Sequence, residues 1–167
     1  GSADGAFALR LLNEKYKLNI PTQDLIGYAA KLGSDCPFFI INQACYATGR
    51  GEILNSIQLN LSKYYFVLVN PGIHVNTKWA FEQITPAPSN KNLESILSEP
   101  IEEWRDLLVN DFEAPITKAY PAIGNIKNRL YQLGASYAAM SGSGSTVFGI
   151  FKMKPSDKIK SAFDCSV

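Results

Sequence analysis

The chain has 167 residues, 46% of them hydrophobic, with 16 basic and 15 acidic side chains and a formal net charge of +1. So balanced a charge gives no electrostatic reason to expect a nucleic-acid or anionic-membrane partner, and no apolar run approaches the length of a bilayer-spanning helix. Three cysteines without a CxxC pair (Cys36, Cys45, Cys165) predict reduced thiols in a cytoplasmic protein, and the single histidine, His74, leaves little on which to build a zinc site or a Ser-His-Asp triad.

Ser2 is predicted to cap a helix running to about Tyr16, with Asp4 in its first turn. Phe7, Leu11 and Tyr16 mark one side of it, Ala8 and Leu12 widen that side, and the helix is expected to be largely buried. Small residues and free N–H groups at Gly1-Ser2-Ala3-Asp4, with the positive end of the helix dipole, would suit an anion. An expression remnant ahead of an ordinary capped helix explains the same residues. Asn19-Ile20-Pro21 breaks the chain, Thr22 is predicted to cap a second helix, and Gly33 to end it.

A tight polar corner follows, Gly33-Ser34-Asp35-Cys36-Pro37-Phe38-Phe39. Its one acid sits in an apolar frame. Asp35 either caps the turn at Cys36–Phe39, with Pro37 inside the first turn, or meets a hydroxyl as a proton acceptor. Ala44–Thr48 and Glu52–Leu59 read as strands joined by a turn at Gly49-Arg50-Gly51.

Tyr64–Asn70 is a continuous apolar strand of the kind covered on both faces. Pro71-Gly72 ends it, a loop carries His74 and Asn76, and Thr77 is predicted to cap a helix to about Ile84. Trp79 and Phe81 in that helix read as core. Pro86–Lys91 reads as a linker. Short helices are expected at Leu93–Leu97, Ile101–Val109 and Phe112–Tyr120, with Asn110-Asp111 capping the last. Pro121 opens a helix to about Leu133, closed by Gly134. Strands Ser136–Met140 and Thr146–Phe151 flank Ser141-Gly142-Ser143-Gly144-Ser145, whose accessible N–H groups suit phosphate oxygens and equally suit a plain hairpin turn. Ser156 is predicted to cap a last helix, Asp157–Phe163.

The layout is α+β in two regions. Residues 1–60 are helices and a hairpin that need a larger sheet to cover, and residues 61–167 form a layer of the ferredoxin-like type.

Five stretches, Leu32–Phe39, Ala47–Glu52, Val69–Thr77, Asn110–Glu113 and Ala138–Phe151, resemble the GHMP kinase superfamily, in the family's order and over nearly the whole chain. The resemblance implies the GHMP kinase fold: part of a ribosomal-protein-like N-terminal domain in 1–60, and the ferredoxin-like C-terminal domain in 61–167. It implies ATP and Mg²⁺ as cofactors and a small alcohol as acceptor, here the 2-hydroxyl of a diphosphocytidyl-methylerythritol in non-mevalonate isoprenoid synthesis. By the same resemblance Gly1 and Ser2 are the tail of the loop that cradles the ATP phosphates, and Asp35 is the catalytic acid. Thr77 and Phe81 line the cytidine side of the acceptor pocket. Gly142, Ser143 and Gly144 belong to a further glycine-rich motif near the substrate diphosphate.

The family's earlier strands, its adenine pocket and a lysine near the reacting hydroxyl would precede Gly1. The 167 residues are therefore expected to be inactive alone, and to self-associate as a homodimer or aggregate if the open face stays uncovered. Two alternatives stay open: a GHMP kinase with another small alcohol, and a non-catalytic binding or assembly module.

Overall fold

The computed structural model describes residues 1–49, 51, 53–85 and 92–163. The chain divides into two units, Gly1–Leu59 and Asn60–Val167. The hairpin residues Arg50 and Glu52, the linker at Pro86–Lys91 and Cys165 lie outside the described residues.

In the first unit, helices α1 (Ser2–Lys15), α2 (Thr22–Leu32) and α3 (Cys36–Ile41) pack together beside an antiparallel hairpin, β1 (Cys45–Thr48) and β2 (Ile53–Ser56). Ala6, Leu25, Ala29, Cys36 and Ile40 form the core, and the small side chains at Ala6 and Ala29 let the helices approach closely. Asn13 acts as a side-chain staple between α1 and α2. Its Oδ1 accepts from Ile20 N at 2.9 Å and its Nδ2 donates to Ile20 O at 3.1 Å.

Three expectations fail here. The apolar stripe of α1 is not buried: Phe7, Leu11, Leu12 and Tyr16 are exposed, and only Ala6 is enclosed. A 3.6-residue period says which side chains share a face, not what covers that face. The caps are also displaced by one residue. Gly1 and Pro21, not Ser2 and Thr22, hold the N-cap positions of α1 and α2. Gly33 does end α2, in extended rather than left-handed backbone.

In the second unit β3 (Tyr65–Val69), β4 (Tyr137–Met140) and β5 (Val147–Phe151) form an antiparallel sheet in the order β3-β5-β4. Helices α4 (Thr77–Glu82), α5 (Leu93–Ser98), α6 (Trp104–Leu107), α7 (Glu113–Ala119) and α8 (Pro121–Gln132) fill the connections, and a 3₁₀ segment spans Asp157–Ala162. Pro121 stands in the first turn of α8, where its missing N–H costs nothing. Ile123 and Leu130 share the inner stripe of α8 with Ile126. They pack with Ile116 of α7 on one sheet face, against Val67, Val69, Ala138, Met140 and Val147. Leu130 is fully buried, and Leu130→Ala should cost about 2–5 kcal/mol in a urea titration.

The opposite face is covered unevenly. On the β4 side Trp104 meets Tyr137 edge-on at 5.8 Å, and Tyr137 donates its hydroxyl proton to Leu108 O at 2.8 Å. Burial, reinforced by the nearby Glu113 charge, pushes the Tyr137 phenol above its usual range, so it stays a neutral donor. On the β3 side Phe66 and Leu68 are exposed, and only Val67 and Val69 are enclosed. The doubly covered strand predicted at Tyr64–Asn70 is therefore an edge strand covered on one face. Its continuous apolar run conceals an alternation that only its place in the sheet reveals.

Candidate functional site

The corner in the first unit is built where α2 stops and α3 starts. Asp35 occupies the N-cap position of α3, with Pro37 in the first turn as expected. Its carboxylate does not cap, however. Its backbone is already helical (φ −87°, ψ −14°), which turns the side chain away from the free N–H groups, and no side-chain cap bond forms. The carboxylate is exposed and accepts a long hydrogen bond from Ser34 Oγ at 3.4 Å. The cap reading of Asp35 is thus corrected, and the acid stays available to a ligand.

Two neighbours frame it. Gly51, in the β1–β2 turn at φ +103°, comes so close that a Cβ there would lie 3.7 Å from Asp35 Oδ1. Only glycine adopts that backbone without strain. Gly5 of α1 faces Cys36, and a Cβ on it would be 3.9 Å from Cys36 Sγ. At Gly5, α1 therefore packs against the start of α3.

In the second unit the remaining predicted residues gather at one end of the sheet, beyond Val69, Met140 and Val147. Asn70 Oδ1 accepts from Gly72 N at 2.8 Å and closes the turn after β3. Asn76, not Thr77, caps α4, accepting from Trp79 N at 3.0 Å. That leaves Thr77 exposed as the first helical residue. Trp79 packs on the core, edge-on to Tyr120 at 6.0 Å. Phe81 does not join the core as predicted. Its side chain is 58% exposed, and its ring meets Phe112 edge-on at 4.9 Å. His74 is exposed.

The loop Ser141–Ser145 closes as a hairpin, with Ser141 N donating to Thr146 O at 2.8 Å and Gly144 N to Ser141 O at 3.0 Å. Gly142 and Gly144 sit at φ +55° and +88°. A Cβ on Gly144 would stand 2.8 Å from Met140 Sδ and 3.7 Å from Val75 Cγ2, so the loop lies directly on β4 and on the segment leading into α4. Gly144→Ala would combine that clash with a left-handed backbone. It should lower stability by roughly 1–3 kcal/mol in thermal unfolding.

The sequence pattern gives Asn110 only a shared cap with Asp111, and gives Glu113 no role of its own. The structure turns both toward the loop. Asn110 Nδ2 donates to Met140 O at 2.9 Å and Gly142 O at 2.8 Å. Its Oδ1 accepts from Phe112 N at 3.0 Å, which closes a turn ahead of α7 rather than capping it. Glu113, 8% exposed, accepts from Met140 N at 2.6 Å through Oε1 and from Lys127 Nζ through Oε2. Among the described residues no group of three or more His, Cys, Asp and Glu side chains stands together to hold a metal ion, and no helix is long and apolar enough to cross a membrane.

Residues 92–166 match the family model for the C-terminal domain of GHMP kinases. A 4-diphosphocytidyl-2-C-methyl-D-erythritol kinase of Bacteroides fragilis is 48% identical over 159 residues, covering 95% of this chain and 57% of that protein. The kinase of the same name from Parabacteroides distasonis is 45% identical, covering 99% of this chain and 61% of that protein. A crystal structure of 4-(cytidine 5'-diphospho)-2C-methyl-D-erythritol kinase superposes with a TM-score of 0.78 at 28% identity, over 96% of this chain and 58% of that one. The chain thus spans about three-fifths of the length of these relatives.

Proposed function

Because the chain carries a GHMP kinase C-terminal domain, we propose that it is the acid-bearing and acceptor-binding portion of an ATP-dependent small-molecule kinase. The acceptor we assign is 4-diphosphocytidyl-2-C-methyl-D-erythritol, and the reaction is transfer of the γ-phosphoryl group to its 2-hydroxyl. The observation that carries the reading is the state of Asp35. It stands at a helix start, exposed, with no cap bond to make and a glycine turn kept clear beside it.

Phosphoryl transfer proceeds through a loose transition state, so positioning and charge neutralisation do most of the catalysis. In this reading Asp35 accepts or orients the proton of the acceptor hydroxyl as the O–P bond forms and ADP leaves. In the same reading the main-chain N–H groups at Gly1 and Ser2, at the positive end of α1, face phosphate oxygens. Gly142, Ser143 and Gly144 present main-chain N–H groups to the acceptor's diphosphate. Phe81, already exposed as a flat apolar ring, stacks on the cytosine, and Thr77 offers a hydroxyl beside it. Mg²⁺ accompanies ATP in phosphoryl transfer, but the described residues form no metal cage, and the reading gives this chain no metal-ligand step. A cytoplasmic location accords with this chemistry.

The test is a coupled ADP-release assay on the 167-residue chain and on the same chain extended with the remaining residues of the Bacteroides fragilis relative. Acceptors would be the diphosphocytidyl alcohol, homoserine, mevalonate and galactose. The 167 residues alone should release no acceptor-dependent ADP, while the extended chain should respond to the diphosphocytidyl alcohol. A response to a different alcohol would replace the acceptor, and acceptor-dependent turnover by the short chain would overturn the division of labour. Phe81→Ala should raise KM for the cytidine-bearing acceptor by about 10-fold, a loss in line with removal of one base–aromatic stack.

A further inference from the structure

We propose that Asn110–Glu113 is a positioning segment that sets both parts of the acceptor site in the second unit, the glycine loop through Asn110 and Glu113 and the Phe81 ring through Phe112. What the segment serves rests on the kinase reading; that it fixes these groups rests on the geometry alone.

The loop cannot fix itself. Gly142 and Gly144 both sit at positive φ, where glycine has no preference to lock the backbone, and the loop's own main-chain bonds are those at its base and across its tip. Its conformation must be selected from outside, and Met140 is where that happens. Its C=O is held by Asn110, its N–H by Glu113, and its sulfur lies under Gly144. Clamping this one residue, through the peptide groups on either side of it, sets the loop's first residue directly. It also sets the loop's far side through the side chain.

The clamp is chemically specific. Both amide protons of Asn110 are spent on carbonyls 30 and 32 residues away, and its oxygen is spent on Phe112 N. A carboxylate of the same shape could keep the last bond and would repel both carbonyls. Glu113 needs no proton, since both its partners donate, and Lys127 balances its buried charge. β4 is an edge strand, and Tyr131 Oη completes the set by donating to Ala138 O at 3.2 Å. These side chains thus take the polar main-chain groups that a bare edge would leave open.

Phe112 supplies the second arm. It is half-buried on the core, and its ring carries the exposed Phe81 edge-on at 4.9 Å and 81°. Because Asn110 Oδ1 holds Phe112 N, the loop clamp and the ring support share one short turn. Asp111, between them, is exposed and takes no part in the clamp.

The experiment compares Asn110→Asp, Asn110→Ser and Phe112→Leu with wild type in two ways. Amide exchange of Gly142–Gly144 and the Phe81 ring signals are read by NMR on the 167-residue chain, and kcat and KM are measured on the extended chain. Asn110→Asp should speed loop-amide exchange at least about 10-fold and cut kcat by about 10–100-fold, the scale of a misplaced reacting group, with Phe81 signals little moved. Asn110→Ser, which adds no charge and keeps an acceptor for Phe112 N, should fall between Asp and wild type and stands in if Asp does not fold. Phe112→Leu should shift Phe81 and raise KM a few-fold, with the loop and kcat near wild type. Loop exchange and kcat within twofold of wild type in both Asn110 variants would overturn the proposal. So would parallel losses of stability and rate in all three variants with no split between kcat and KM. If the wild-type extended chain transfers nothing, the kinase reading fails by itself, and the NMR comparison still decides the positioning claim.

Discussion

Asp35→Asn should lower kcat of the extended chain by about 10²–10⁴-fold, the usual contribution of a positioned general base. The same change should leave the unfolding midpoint nearly still, within about 0.5 kcal/mol. The two halves of this expectation come from one geometry. Had Asp35 been the cap suggested by its place before Cys36-Pro37, its removal would cost about 1 kcal/mol of stability. The helical backbone at Asp35 removes that role, and an exposed carboxylate with one long bond to Ser34 Oγ contributes little to folding. Kinetics and chemical denaturation on the same variant separate the readings. A stability loss with activity intact would restore the cap.

Glu113→Ala is expected to weaken folding strongly. It leaves Met140 N–H unpaired at a buried strand edge and strands the Lys127 charge in a part-buried position. Breaking a buried pair costs about 3–5 kcal/mol, and the low end, roughly 3 kcal/mol, applies because Lys127 is 27% exposed. Glu113→Gln keeps an acceptor for Met140 N and should cost about 1 kcal/mol, the net worth of a hydrogen bond. Urea unfolding of both variants checks the order. Equal losses would mean that the charge on Glu113, and not its bond to Met140, carries the stability.

Punctuation was the legible part of this sequence. Pro21, Gly33, Pro121 and Gly134 mark helix limits that the structure keeps within a residue or so, because proline and glycine act through their own backbone. Caps were less legible. Asn76 and Thr77 are adjacent and both can cap, and the choice falls to the residue whose backbone is extended, here Asn76 at φ −69°, ψ 115°. Burial was least legible. The α1 stripe and the Tyr65–Val69 run both look like core, yet Leu11 and Leu68 stand exposed, since coverage depends on neighbours distant in sequence. The same limit hid Asn110: its two decisive partners are 30 and 32 residues away. Its membership in the Asn110–Glu113 motif was the one signal available, and it named the residues without naming their task.

The proposed chemistry is tested most directly by ³¹P NMR of the extended chain turning over ATP with 4-diphosphocytidyl-2-C-methyl-D-erythritol. The result expected is one new phosphomonoester resonance coupled to the 2-position of the acceptor, growing in step with ADP and absent with Asp35→Asn. Inorganic phosphate rising with ADP, or a phosphoester at any other hydroxyl, would contradict it.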